Sequence, residues 1–327
     1  MQSRLAVAAV AAAALWSAAS TAAFAQAKPS IIHMDYATYN PVSLVLKDKG
    51  WLEQDLAKDG VKVDWTLSQG SNRALEFLNA GAVDFGSTAG AAALIARSNG
   101  NPIYGVYLYS KPEWTALVTL PGSGITRIQD LKGKRVAATI GTDPYIFLLR
   151  ALDTAGLTDQ DIQLVSLQHA DGGAALVRKD VDAWAGLDPI MAKVELENHA
   201  ALFYRNPDFN TYGALNVRRE FADRYPSYVV RVLAAYEKAR QYSRAHLPEV
   251  VSTLASVGQI SREVAALQIN RRTDLSTSFP GDAFVRSISA AGVVLQRGGQ
   301  IKPEVDLKAL VADYVNPSFA RTAVAQP

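Results

Sequence analysis

The 327-residue chain has no cysteine, and this one absence removes several classes of protein. A disulfide framework, thiolate metal sites, iron–sulfur ligation, a cysteine nucleophile and a lipid-bearing N-terminal cysteine are all excluded. Four scattered histidines, His33, His169, His199 and His246, are poor material for a zinc site. Neither sign of charge dominates: 33 basic residues face 31 acidic ones, so the chain lacks the basic excess that phosphate neutralisation demands, and no nucleic-acid partner is expected. A G-x-S-x-G elbow, an H-E-x-x-H helix, a P-loop and a G-x-G-x-x-G turn are missing too. No catalytic residue, cofactor or metal is therefore expected. What remains is 49% hydrophobic and 20% charged, a globular composition long enough for about two domains of ~150 residues.

The first residues read as an address rather than as fold. Arg4 precedes an alanine-rich stretch from Leu5 to Phe24, which ends in Ala23-Phe24-Ala25. A charged start, an apolar middle and small-x-small residues at the end describe a secretory signal over residues 1–25. The stretch is too weakly apolar for a good membrane anchor. The expectation is a soluble, exported protein, periplasmic in a two-membrane bacterium.

Beyond it, strand and helix patterns alternate. Strands are expected at 30–36, 61–67, 83–85, 103–108 and 115–120, then at 136–140, 162–167 and 181–185, with helix-length segments between most of them. Crossovers of that length imply βαβ units and mostly parallel sheets. A helix is expected from Gly173 to Arg178, and from Pro226 onward the pattern is helical, with segments expected at 282–295 and 307–315. Three predicted turns follow a strand and open a helix: Ser68-Gln69-Gly70-Ser71, Gly86-Ser87-Thr88-Ala89-Gly90 and Gly141-Thr142-Asp143-Pro144-Tyr145. Helix starts carry unpaired N–H groups and a partial positive charge, so such turns suit oxyanions. Asp143-Pro144 and Asp188-Pro189 pair a capping residue with a proline at the first helical position. Each aspartate either caps a helix or faces a cleft. Tyr39, Trp114, Tyr145 and Trp184 lie near these turns, as core or as ligand wall. His169 follows a predicted strand and is expected in a solvated polar turn.

The segment Leu75–Gly90, with its Val83-Asp84-Phe85-Gly86-Ser87-Thr88 run, resembles the first-lobe signature of periplasmic binding proteins for aliphatic sulfonates, taurine and nitrate. Asp130-Leu-Lys-Gly-Lys-Arg-Val-Ala137, Tyr145-Ile-Phe-Leu-Leu-Arg-Ala-Leu152 and Val181-Asp-Ala-Trp184 with Asp188-Pro189 are similar to that family's second lobe. The resemblance implies a type II periplasmic-binding-protein fold: two α/β lobes, 28–117 with 215–327 and 118–214, joined by two crossing strands. It implies a monomer that closes on a small-molecule ligand and delivers it to an ABC permease and its ATPase in the inner membrane. By position, the implied ligand contacts are Thr38, Tyr39, Gly70, Ser71, Thr88, Ala89, Thr142, Asp143 and Tyr145, with Asp188 beside them; Trp114, where relatives carry a different residue, joins them on its own chemistry, as an aromatic able to cover an apolar tail. Relatives usually carry a small or hydroxyl residue where this chain has Asp143. A carboxylate ~4 Å from a sulfonate would be repelled by about 4 kcal/mol at an effective dielectric near 20. Either Asp143 points away or the ligand also carries a cation or hydrogen-bond donors. The same fold serves thiamine-pyrimidine synthases, but those need cysteines that this chain lacks. A ligand-sensing subunit is the other alternative.

Overall fold

The computed structural model describes residues 28–324, so the expected leader at 1–25 lies outside the described residues. The strands, in chain order, are β1 (Ile31–Tyr36), β2 (Lys62–Leu67), β3 (Phe85–Ala89), β4 (Ile103–Pro112), β5 (Thr115–Thr119) and β6 (Arg135–Ala138). They continue with β7 (Gln163–Ser166), β8 (Ala183–Leu187), β9 (Ala201–Tyr204), β10 (Gly213–Arg218) and β11 (Thr273–Asp274). They form two sheets, ordered β11-β4-β10-β3-β1-β2 and β7-β6-β8-β5-β9.

Each sheet has a parallel centre. β1 runs parallel to β2 and β3, and β6 runs parallel to β7 and β8. The sheets are mixed rather than mostly parallel, because β10 lies antiparallel between β3 and β4, and β5 antiparallel between β8 and β9. The cause is geometric. A chain crossing from the other lobe arrives where the parallel strands finish, and must run back against them. Thr115 accordingly starts β5 opposite Leu187 at the end of β8, and Gly213 starts β10 opposite Ala89 at the end of β3. At the second crossing only glycine fits, since a Cβ on Gly213 would lie 2.1 Å from the Tyr109 ring.

Helices follow the parallel strands as the alternating pattern demands: Pro41–Lys49, Ser71–Asn79 and Gly90–Ser98 in the first lobe. Their second-lobe counterparts are Asp143–Thr154, His169–Val177 and Ile190–Asn198. Of the C-terminal helices, Pro226–Ala245 packs on the first-lobe helix Pro41–Lys49, Arg262–Arg272 reaches the second-lobe helix Ile190–Asn198, and Asp282–Arg297 touches both Gly90–Ser98 and Asp143–Thr154.

Two differences from the sequence pattern bear on function. β3 extends through Ala89, so Gly86-Ser87-Thr88 is buried strand rather than an open turn. The helix expected from Gly173 starts four residues earlier, at His169. Trp184 fixes it there. The ring is wholly buried beneath the helix, and a Cβ on Gly172 would sit 2.6 Å from Trp184 Nε1. Truncating such a buried indole to alanine costs about 3–5 kcal/mol. The Gly172-Gly173 pair thus allows a tight contact that holds the start of this helix at the edge of the sheet.

Candidate functional site

Six helices begin where the parallel strands of the two lobes end, and they differ in what satisfies their first amides. The Pro41–Lys49 helix is self-capped: Asn40 Oδ1 accepts from Ser43 N at 3.1 Å. The Gly90–Ser98 helix is capped by the second crossing. Gly90 N donates to Thr211 O at 2.8 Å, and Ala91 N donates to Thr211 Oγ1 at 3.1 Å. At the Ile190–Asn198 helix, Ala192 N donates to Asp188 Oδ1 at 2.9 Å. The other three helices, starting at Ser71, Asp143 and His169, have no side-chain cap among the described residues.

Those three bare starts converge. Asn72 Nδ2 reaches across the groove to Gln168 Oε1 at 3.4 Å, and a Cβ on Gly141 would lie 3.7 Å from Asn72 Cβ. A Cβ on Gly70 would meet Asn72 Oδ1 at 2.8 Å and His169 Nε2 at 2.9 Å. One helix from the first lobe and two from the second therefore aim their positive ends at one groove, as anion-binding sites on open α/β sheets do. The groove opens into a cavity of about 360 Å³ lined by Thr38, Ser68, Gln69, Gln168, His169 and Lys193 on its polar side. Leu67, Ile190, Val257 and Ile260 form its apolar side.

The residues singled out from the sequence divide into groups. Thr38 and Gly70 lie at the cavity and the bare Ser71 helix start. Ser71 Oγ accepts from Ala89 N at 3.0 Å and keeps its own hydrogen free of any partner among the described residues. Tyr39, Ser71, Trp114, Thr142 and Asp143 surround a residual void of only about 10 Å³ deeper in the groove. Thr142 Oγ1 donates to Thr139 O at 2.6 Å, and Tyr39 donates its hydroxyl to Ser87 O at 3.0 Å. Thr88 and Ala89 lie within the β3–β10 ladder, and Thr88 Oγ1 accepts from Asn216 Nδ2 at 2.8 Å. The amides expected to be free at that turn are instead engaged by Thr211 and Ser71. The Tyr145 hydroxyl is 3.5 Å from Asp159, within its own lobe.

The two aspartates are neither simple N-caps nor open to the groove. Thr142 is the capping position, and Asp143 is the first residue of its helix, buried to 1% exposure. Its carboxylate accepts from Trp114 Nε1 at 2.8 Å, Thr211 N at 2.9 Å and Thr211 Oγ1 at 2.5 Å. Burial pushes its pKa up, and those three donors pull it back. Trp114 is correspondingly buried, edge-on to Tyr39 at 5.9 Å, and ties the first crossing to the second lobe. Asp188 precedes Pro189, which occupies the capping position, and is paired across the lobes with Arg272 Nη1 at 3.0 Å. Arg272 also bonds Glu195. Burial lifts Asp188 to about 7 against the pull of Arg272.

Sequence reasoning missed His169, expected in solvent but 2% exposed. Its ring lies against the groove from the second lobe, and Nε2 has no hydrogen-bond partner among the described residues. The signal was present: a polar segment after the strand now assigned as β7, the same strand-to-helix-start pattern used for the other turns. Placing the helix start at Gly173 hid it.

Two mixed α/β lobes, crossed twice, with ligand-ready helix ends facing each other, define the type II periplasmic-binding-protein fold. The chain belongs to the NMT1/THI5-like family, whose model matches residues 42–249. It is 28% identical over 297 residues to the putative aliphatic sulfonates-binding protein of Escherichia coli, covering 90% of this chain and 92% of that one. The alkanesulfonate-binding protein SsuA from Xanthomonas axonopodis pv. citri, bound to MOPS, superposes with a TM-score of 0.80 at 25% identity, covering 89% of this chain and 99% of that one. The periplasmic aliphatic sulphonate binding protein SsuA from Escherichia coli gives 0.75 at 26% identity, with coverage of 89% and 94%.

Proposed function

We propose that this protein is the periplasmic solute receptor of an ABC importer and binds a small organic oxyanion, with aliphatic sulfonates the leading class. The observation that carries the reading is the convergence of three uncapped helix starts, at Ser71, Asp143 and His169, on one interlobe groove. Each helix end contributes about 0.3–1 kcal/mol toward an anion, more when partly buried, without the desolvation cost of a fixed side-chain charge. Of the contacts implied by resemblance, Thr38, Gly70, Ser71 and Thr142 fit this role through backbone amides and the free Ser71 hydroxyl. Leu67, Ile190, Val257 and Ile260 supply a surface for an alkyl tail. The relatives, named as sulfonate-binding proteins, support the ligand class.

Residues 28–117 with 215–327 move against 118–214 about the two crossings, and ligand contacts to both lobes favour the closed arrangement. The closed form, a monomer, then docks on the permease, whose ATPase drives release. Native mass spectrometry of the purified mature protein should reveal a co-purified small anion. Calorimetry against sulfonates, taurine, nitrate, carboxylates and pyrimidine precursors should show sulfonates binding at micromolar concentration or tighter. Failure of every sulfonate at millimolar concentration would refute the ligand class.

A further inference from the structure

His169 is a buried, titratable group in the groove that neither the fold nor its packing uses at Nε2. Its other ring nitrogen fixes its tautomer. Thr139 Oγ1 donates its only hydrogen to Leu167 O at 2.7 Å, so at its 3.1 Å contact with His169 Nδ1 it must accept. The hydrogen therefore sits on Nδ1, and Nε2 presents a bare lone pair. The ring stays neutral because burial holds the imidazolium far below its usual range, at about 3. The surroundings reinforce this, since the positive start of its own helix and Lys193 border the same cavity, and among the described residues no carboxylate bonds the ring. A buried acceptor left unpaired costs about 1–3 kcal/mol, and none of the described residues donates to it.

The geometry points to His169 Nε2 as a specificity-determining acceptor for a hydrogen-bond donor carried by the ligand. The preferred ligand is thus an oxyanion bearing a nearby O–H or N–H, rather than a plain alkyl oxyanion. The helix ends take the oxyanion, and the imidazole tests whether the other end has a hydrogen to give. Sites built around an acceptor reject isosteres lacking the donor because they strand that acceptor.

This inference rests on the oxyanion reading above, and the test separates the two. Three ligands of nearly equal shape are titrated into the mature protein: propane-1-sulfonate, 2-hydroxyethanesulfonate and 2-aminoethanesulfonate, which end in CH3, OH and NH3+. The two donor-bearing ligands should bind about tenfold or more tightly than the alkyl one. In His169→Phe the preference should vanish. His169→Gln, which can place a carbonyl oxygen near the Nε2 position, should retain part of it and covers the case in which the phenylalanine variant fails to fold. Binding enthalpies in buffers of different ionisation heat should show no proton uptake. Equal or better binding of propane-1-sulfonate, or uptake of one proton per ligand, overturns the acceptor role while leaving the oxyanion reading intact. Binding of none of the three refutes the sulfonate class and this donor preference with it.

Discussion

Around the crossings, Asp143 receives three hydrogen bonds and Asp188 lies between Arg272 and the Ala192 amide. Along the other wall of the same groove, His169 Nε2 is buried with no partner among the described residues, and three helix starts lack side-chain caps there. The first region has the more suggestive residues for chemistry, two carboxylates and an indole, yet their polar atoms are already satisfied. The second has the plainer residues and the unsatisfied atoms. Capacity to bind follows the unsatisfied groups, because a buried polar atom without a partner gains most from a ligand.

The contrast breaks most visibly if Asp143 proves to be a ligand contact. Asp143→Ala strands Trp114 Nε1, Thr211 N and Thr211 Oγ1, so chemical unfolding should show a loss of about 4 kcal/mol. Asp143→Asn should lose less than about 1.5 kcal/mol, since its carbonyl can serve Trp114 and the Thr211 amide while the Thr211 hydroxyl turns to accept. The asparagine variant should keep ligand affinity within about threefold, because the carboxylate is committed to the hinge. A large loss of affinity without loss of stability would move Asp143 to the other side of the comparison.

Arg272 offers the next largest effect. Arg272→Met leaves Asp188 and Glu195 without their cation, a loss of about 3 kcal/mol near neutral pH. Asp188 is already raised to about 7, above its unfolded value near 3.9. A carboxyl raised in this way favours the folded state at low pH and loses that contribution as pH rises through the folded pKa. Without Arg272 the folded pKa rises further, so the damage should shrink toward pH 5 and grow above pH 7. Unfolding curves at those pH values check the sign. A deficit independent of pH would mean that Asp188 is solvated and not part of a saturated hinge.

Gly70 tests the open wall. Its φ of 164° is extended backbone open to any residue, so Gly70→Ala acts through contact rather than strain. The added methyl would press on His169 Nε2 of the opposite lobe and on Asn72 Oδ1 of its own, and hold the groove apart. We expect at least about a tenfold loss of affinity with a stability change under about 1 kcal/mol, measured by calorimetry and thermal unfolding. Unaltered affinity would place the ligand elsewhere.

How much of this the sequence discloses depends on the range of the interaction. The alternation that gives β1, β2 and β6, and the C-terminal helices, is local and legible: Asp282–Arg297 and Leu307–Tyr314 fall close to their predicted bounds. The antiparallel direction of β5 and β10 is not local, because it follows from where the chain re-enters a lobe. Bare and capped helix starts look alike in sequence. Gly90 is capped by Thr211, 121 positions away, and Asp143 is bonded by the same residue and by Trp114. His169 was hidden by a boundary error of four residues, within which a solvated loop histidine becomes a buried helix start.

That burial yields the smallest and most specific effect. His169 has a folded pKa of about 3, against about 6.5 when unfolded. A histidine depressed in this way contributes stability above pH 6.5 and loses it as pH falls toward 3, because the unfolded chain takes up a proton that the folded chain refuses. The slope is about 1.4 kcal/mol per pH unit at most. Asp35, raised by burial to about 6, and Asp188, raised to about 7, act in the opposite direction over much of the same range. The total stability profile therefore hides the histidine, and only a difference exposes it. Subtracting the profile of His169→Gln should leave a curve flat above pH 6.5 and falling below it. A difference curve flat down to pH 4 would put water on the imidazole, fill its lone pair, and erase the contrast between the two walls.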